Sequence, residues 1–194
     1  MRRALLLTAL TLATSTAFAF SPEIEVVRPA SSTEGALVYF SGTLSKGMAH
    51  SLGAKLKLYK ITSGTVVLNA SGSDLESAMW LGQEIRKRGL STMVGVVNTN
   101  TGAVSPGGCE DTCLLALAGG VQRSLYPSSQ VSTGPVLATL EGQGQEAVAT
   151  KVSAYLEAMG VSGEFAGVLK AAGAGIKAIP EDQARGLSLL TAAR

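Results

Sequence analysis

The two cysteines of this 194-residue chain are spaced i, i+4 in Cys109-Glu110-Asp111-Thr112-Cys113, and its single histidine is His50. Two cysteines wholly inside one helix are badly placed to bond, so a disulfide requires Cys109 to lie just ahead of a helix that Cys113 begins. In an oxidising compartment a disulfide is the default for such a pair, with reduced thiols as the alternative. Two Cys and one His cannot supply four protein ligands to zinc without carboxylates drawn from elsewhere, so no metal and no cofactor is expected. A second stretch, Asn69-Ala70-Ser71-Gly72-Ser73, has the composition of a strand-to-helix turn. Backbone N–H groups in such a turn can stabilise an anion or oxyanion; the plainer reading is a tight turn with a capping serine. Asp111-Thr112 stands at the start of another apolar segment, where N–H groups are again expected to be free. Two helix N-termini facing one cleft would form a binding site from Ser71, Gly72, Ser73, Asp111 and Thr112.

The elements that must hold these residues follow from hydrophobic periodicity. Ala36 to Phe40, Thr65 to Leu68 and Met93 to Val97 are near-continuous apolar runs, as in parallel strands covered on both faces by helices. Between the first two, Leu44, Met48, Leu52 and Leu56 line one face of a helix over Thr43 to Tyr59, and His50 lies on it as a surface or core residue. Ser73 with Glu76 reads as a capping box opening a second helix, whose stripe is Leu75, Ala78, Met79 and Ile85. Arg86, Lys87 and Arg88 fall in its last turn, where cations complement the helix dipole, and Gly89 suits the left-handed C′ position. A Gly/Ser/Thr/Asn-rich loop then runs from Asn98 to Gly108. Leu114 to Ala118 is apolar, Gln122 to Leu125 and Gln130 to Thr133 read as short strands, and the last third is helical. There, Val148, Val152, Tyr155, Leu156 and Met159 form one stripe, and Pro180-Glu181-Asp182 opens a helix ending near Gly186.

The chain carries 16 Lys+Arg against 14 Asp+Glu, with 46% hydrophobic and 15% charged residues. That apolar fraction excludes disorder and suits one domain, placed at residues 25–194. Arg2 and Arg3, the run Ala4 to Ala13, and Ala17-Phe18-Ala19 match the n-region, h-region and A-x-A site of a secretory signal peptide over residues 1–19, with cleavage after Ala19. The run is shorter than the ~20 residues a membrane span needs. Cleavage removes Arg2 and Arg3 and leaves 14 basic residues against 14 acidic ones. The expectation is a soluble periplasmic or secreted protein with no membrane contact after cleavage and no nucleic-acid partner, since Arg86-Lys87-Arg88 is its only basic cluster.

Read in order, Tyr39-Phe40-Ser41-Gly42-Thr43, Leu68 to Ser73, Cys109 to Cys113 and Ala118-Gly119-Gly120-Val121-Gln122-Arg123 resemble the ClpP-like group of the ClpP/crotonase superfamily. More narrowly, the chain is similar to exported bacterial ClpP-like proteins with a C-x-S-x-C segment and a Y-x-x-x-M-G helix, here Tyr155 to Gly160. The resemblance runs from about Gly35 to Thr191. It implies an α/β fold of repeated ββα units with mostly parallel strands and C-terminal helices, a site between strand-to-helix turns, and Ser-His-Asp peptidase chemistry.

Position by position, the family's nucleophile falls on Asp111, its histidine on Gly134, and its third member on Ala172-Gly173-Ala174-Gly175. A shift of one residue would put Thr112 at the nucleophile position. Where the family has S-P-G-G, this chain has Ala70-Ser71-Gly72-Ser73. The resemblance therefore implies a catalytically degenerate domain that binds a peptide or protein between Ser71–Ser73 and Asp111–Thr112. The alternative is a hydrolase whose Thr112 or Ser71 is activated by Lys151 or Lys170, like the Ser-Lys dyad of related signal peptide peptidases. A third reading is acid-base chemistry at Asp111 with Glu110, as in hydratase members; those bind coenzyme A, which does not suit an exported chain. Family members assemble through terminal helices, so a homo-oligomer is also implied.

Overall fold

Buried apolar residues on alternate sides of two central strands set the architecture. The computed structural model describes residues 23–28, 35–72, 74–134, 144–171 and 175–191; residues 1–19, Ser73, Ala172 to Ala174 and the side chain of Lys170 lie outside that description. In chain order the elements are β1 (Glu23–Val27), β2 (Ala36–Thr43), α1 (Met48–Leu58), β3 (Gly64–Ser71), α2 (Leu75–Lys87), β4 (Ser91–Val94), β5 (Val96–Val97), β6 (Val104–Ser105) and β7 (Gly108–Glu110). There follow α3 (Cys113–Ala118), β8 (Arg123–Leu125), β9 (Gln130–Thr133), α4 (Gly144–Ala158), α5 (Glu164–Lys170), β10 (Lys177–Ala178) and α6 (Glu181–Gly186). Val38 and Phe40 of β2 and Val66 and Leu68 of β3 enter the main core under the helices. Leu37, Tyr39 and Val67 point the other way, into a smaller cluster with Val97.

The expected strands pair in parallel, β2 with β3 and β3 with β4. Antiparallel β1 on β2 and β10 on β9, absent from the sequence reading, form two of the edges, and β8 on β4 forms the third. The sheet forks at β3. Its first half, Thr65 to Leu68, pairs with β4, whereas Ala70 pairs with Cys109 of β7, which continues through β9 to β10. Between the two arms of the fork the chain makes the β5–β6 hairpin: the single strand expected over Met93 to Val97 breaks after Val94, and β6 forms within the loop expected over Asn98 to Gly108. Its two ends cross at glycines: a Cβ on Gly107 would stand 2.7 Å from the carbonyl carbon of Gly95. Asn69 Oδ1 accepts from the Gly108 N–H at 3.0 Å and fastens β7 as it starts.

Three helix boundaries differ from expectation. The first helix begins at Met48, with Leu44 buried just ahead of it. The cap of α2 is Asp74, one residue later than expected: its carboxylate accepts from Ser77 N–H at 2.9 Å, which leaves Glu76 at the second helical position and not the third that a capping box needs. The C-terminal stripe runs along α4, whose last residue is Ala158, so Met159 falls just past the helix end, where Gly160 takes a left-handed φ of 69°. Gly89 does occupy the expected left-handed position, at 65°. Among the described residues no helix is long and apolar enough to cross a membrane.

Arg123 is 3% exposed and ties the ends of three helices together. Its Nη1 donates to Gly120 and Met159 carbonyls at 3.0 Å, Nη2 to Ser188 at 2.7 Å, and Nε to Leu189 at 3.0 Å. These acceptors follow α3, α4 and α6. Burial, with the nearby Arg86 guanidinium adding to it, pulls Arg123 down to about 10, which still leaves it charged at neutral pH. Removing the donors strands several buried carbonyls, each costing about 1–3 kcal/mol. Arg123→Met is expected to lower unfolding free energy by about 3 kcal/mol or more, read from the urea midpoint; a loss below ~1 kcal/mol contradicts this role.

Candidate functional site

Three chain turns meet where β3, β7 and β9 end. In the middle one, Cys109 is the buried central residue of β7 and Cys113 is the first residue of α3, so the two bond as a disulfide with Cα atoms 5.4 Å apart. The intervening turn is completed by Asp111 at φ 57°, a left-handed conformation that Asp tolerates better than most residues. Asp111 N–H donates to the Ser132 carbonyl at 3.0 Å, and Thr112 N–H donates to the Gly72 carbonyl at 3.2 Å. The N–H groups of Asp111 and Thr112, expected to be free for an anion, are therefore spent inside the protein.

Within the cleft expected between Ser71–Ser73 and Asp111–Thr112, Gly72 and Thr112 are in direct contact. Gly72 lies so near Thr112 that a Cβ there would stand 2.6 Å from Oγ1 and 3.2 Å from Leu44 Cβ. Glycine permits this contact, which fills the space between Gly72 and Thr112; Ser73 lies outside the described residues. Thr112 is 1% exposed, and its Oγ1 has no hydrogen-bond partner among the described residues. Ser71 ends β3, with its carbonyl accepting from Leu44 N–H at 2.7 Å.

The positions assigned by resemblance to nucleophile and base do come together. Gly134, just past β9, packs against the Asp111 side chain: a Cβ on Gly134 would stand 2.6 Å from the Asp111 carboxyl carbon. The pair thus consists of a carboxylate against a bare Cα. Of the third position only Gly175 is described, and it is exposed. Lys151 does not reach a hydroxyl; its Nζ pairs with Glu76 Oε1 at 2.6 Å, with both side chains more than half exposed. A lysine that serves as a base is usually desolvated and unpaired, so this environment offers Thr112 or Ser71 no activating amine. For Lys170 the backbone lies in α5. His50 sits on the outer side of α1, in a groove facing α2. No three His, Cys, Asp or Glu side chains gather into a metal-holding group among the described residues.

An accessible cleft lies on the other side of β7, lined by Pro106, Gly107, Gly108, Glu110, Gln130 and Ser132, with Ser128 at its rim. Glu110 and Ser132 are register partners across β7 and β9, and Gly108 is partnered with Gln130. Cys109 and Val131, between them, point into the core. This two-residue alternation is the signal that could have placed the cleft from sequence, had Gly108 to Glu110 been read as a strand.

With this geometry, ClpP1 from Listeria monocytogenes superimposes at a TM-score of 0.58 and 13% identity, covering 79% of this chain and 88% of that one. The fold is ClpP-like. No family model matches the sequence, and no curated protein matches it. The likeness extends to the mostly parallel sheet and its flanking helices.

The close packing of Asp111 on Gly134 is directly testable. Gly134→Ala is expected to destabilise by about 1–3 kcal/mol through overpacking. In an Asp111→Gly background the same substitution should cost less than half as much, so a double-mutant cycle in urea should show strong coupling. Additive losses would mean the two residues do not compete for this space.

Proposed function

We propose that this chain is an exported domain of ClpP-like fold that binds a peptide or protein partner in the β7–β9 cleft and does not cleave it. The observation that carries the reading is the Asp111 carboxylate packed against Gly134 at the positions where the resemblance calls for Ser and His. Acyl transfer needs a nucleophile with a base within hydrogen-bond reach. Asp111 is not a hydroxyl, Gly134 has no ring, and Thr112 is buried against Gly72.

Binding is a different matter, because the cleft remains open on the Glu110 side. Gly108 leaves open space where a Cβ would stand, and Glu110 is the one charged group among the lining residues. Glu110, Gln130 and Ser132 supply acceptors and donors along two strands, which suits an extended peptide carrying a basic or N–H-rich segment. Export is supported by the charged and apolar pattern of residues 1–19 and by a disulfide of the kind that persists in oxidising compartments. Assembly of several copies belongs to the same proposal, and light scattering on the mature protein checks it.

The test uses the protein secreted from a bacterial host, whose mature N-terminus is expected at Phe20 by mass spectrometry. That protein should take no stoichiometric fluorophosphonate label and release nothing from fluorescent casein, while binding peptides from a casein digest. Glu110→Arg and Gln130→Trp, which reverse the charge and fill the cleft, should each weaken that binding about tenfold or more. Stoichiometric labelling of Ser71 or Thr112 would overturn the non-catalytic reading, and unchanged binding by both variants would overturn the cleft.

A further inference from the structure

The outer face of the α1/α2 pair carries a groove that shares no residue with the β7–β9 cleft. Ala49, His50, Gly53, Ala54 and Lys57 line it from α1, and Trp80, Gln83, Glu84, Lys87 and Arg88 from the α2 side. Trp80, Gln83, Glu84 and Lys87 recur at i, i+3, i+4 and i+7, so they form a single helix face. The floor is low because three of the five α1 residues there, Ala49, Gly53 and Ala54, are small. A Cβ on Gly53 would stand 3.2 Å from both Glu84 Oε1 and Arg88 Nη2, so the glycine lets this ion pair lie against the α1 backbone.

The charges in the groove are unequal. Glu84 is its only carboxylate, and Arg88 Nε engages it at 2.6 Å. Lys57 and Lys87 have no acidic partner among the described residues, and both are exposed. Cations in the last turns of α1 and α2 are partly explained by the helix dipoles. Dipoles do not explain Trp80. It is the chain's only tryptophan, it is 50% exposed, and it lies two turns before Lys87 on the same face. A half-exposed indole is the residue type enriched in recognition surfaces, and the uncompensated ammonium groups beside it give this one a positive field that an acidic partner would complement.

We propose that this groove docks an acidic peptide segment of a partner protein, with an apolar side chain of the peptide against Trp80 and its carboxylates at Lys57 and Lys87. Two free cations are too few to hold a polyanion by counterion release, so a nucleic acid is disfavoured relative to a short acidic-apolar segment. The groove is independent of the peptide cleft, and either can fail without the other.

Because Trp80 is the only indole, its emission reports this site alone. The experiment titrates the mature full-length protein with an eight-residue peptide alternating Glu and Leu, at low salt. The expected result is a saturable change in Trp80 emission that weakens as salt is raised. Lys57→Gln with Lys87→Gln should raise the Kd about fivefold or more. Trp80→Ala, followed by anisotropy of the labelled peptide, should do the same. Gln130→Trp adds a second indole, so it is read by anisotropy and should leave the Kd unchanged. Equal binding of a Lys-Leu peptide, of polyglutamate or of a single-stranded oligonucleotide would overturn the proposal. So would the absence of saturable binding, or a Kd unmoved by the lysine substitutions. Unchanged far-UV dichroism of each variant separates lost binding from lost folding.

Discussion

One guanidinium holds the C-terminal half of this molecule in place. Arg123 sits where the chain leaves α3, α4 and α6, and the carbonyls there have no helical partners of their own. Three negative dipole ends converging without a cation would repel one another and leave their oxygens dry. Arg86 shares the task, donating to Met159 at 2.7 Å and to Ala118 at 3.1 Å, so two like charges are tolerated side by side because carbonyl oxygens surround them. Tyr155 adds a third tie, its hydroxyl donating to the Leu115 carbonyl at 2.6 Å, and burial pushes its ionisation upward so that it stays a donor. The helix that carries Tyr155 is thereby fixed against α3, the helix that begins at the disulfide.

The candidate site inherits that rigidity. The turn from Cys109 to Cys113 is closed covalently, its Asp111 N–H is held by β9, and its Thr112 N–H by the turn after β3. A strand-to-helix turn built this way is stiff, and its donors already have acceptors. It can position a surface beside it, which is what the Glu110 face of β7 offers, but it has little left to give a developing oxyanion. The packing that accompanies the ClpP-like fold also seats Gly72 directly against Thr112, so these two turns are held as one unit.

Much of the frame was legible in the sequence because it rests on local periodicity. β2, β3 and β9 are continuous apolar or alternating runs, and the stripe of α2 and the Gly89 terminus are set by residues within a few positions of one another. The disulfide was legible for the same reason. Elements that depend on distant partners were not. β1 and β10 are edge strands defined by what they pair with, and β10 has only Lys177 and Ala178. The closure of Gly72 on Thr112 joins residues forty positions apart through a missing side chain, which no pattern of hydrophobicity records. The cap at Asp74, one residue later than expected, rests on its carboxylate accepting from the Ser77 N–H.

The crossing at Gly95 and Gly107 has a consequence for how this protein can change. Since the chain enters and leaves the β5–β6 hairpin at nearly one point, the hairpin's length is uncoupled from the register of the sheet on either side. Ordering a longer loop costs only a slowly growing entropy once its ends are fixed. Residues can therefore be added around the turn at Gly102 without displacing β4 or β7, so the hairpin can change size while the frame on either side of it stays the same.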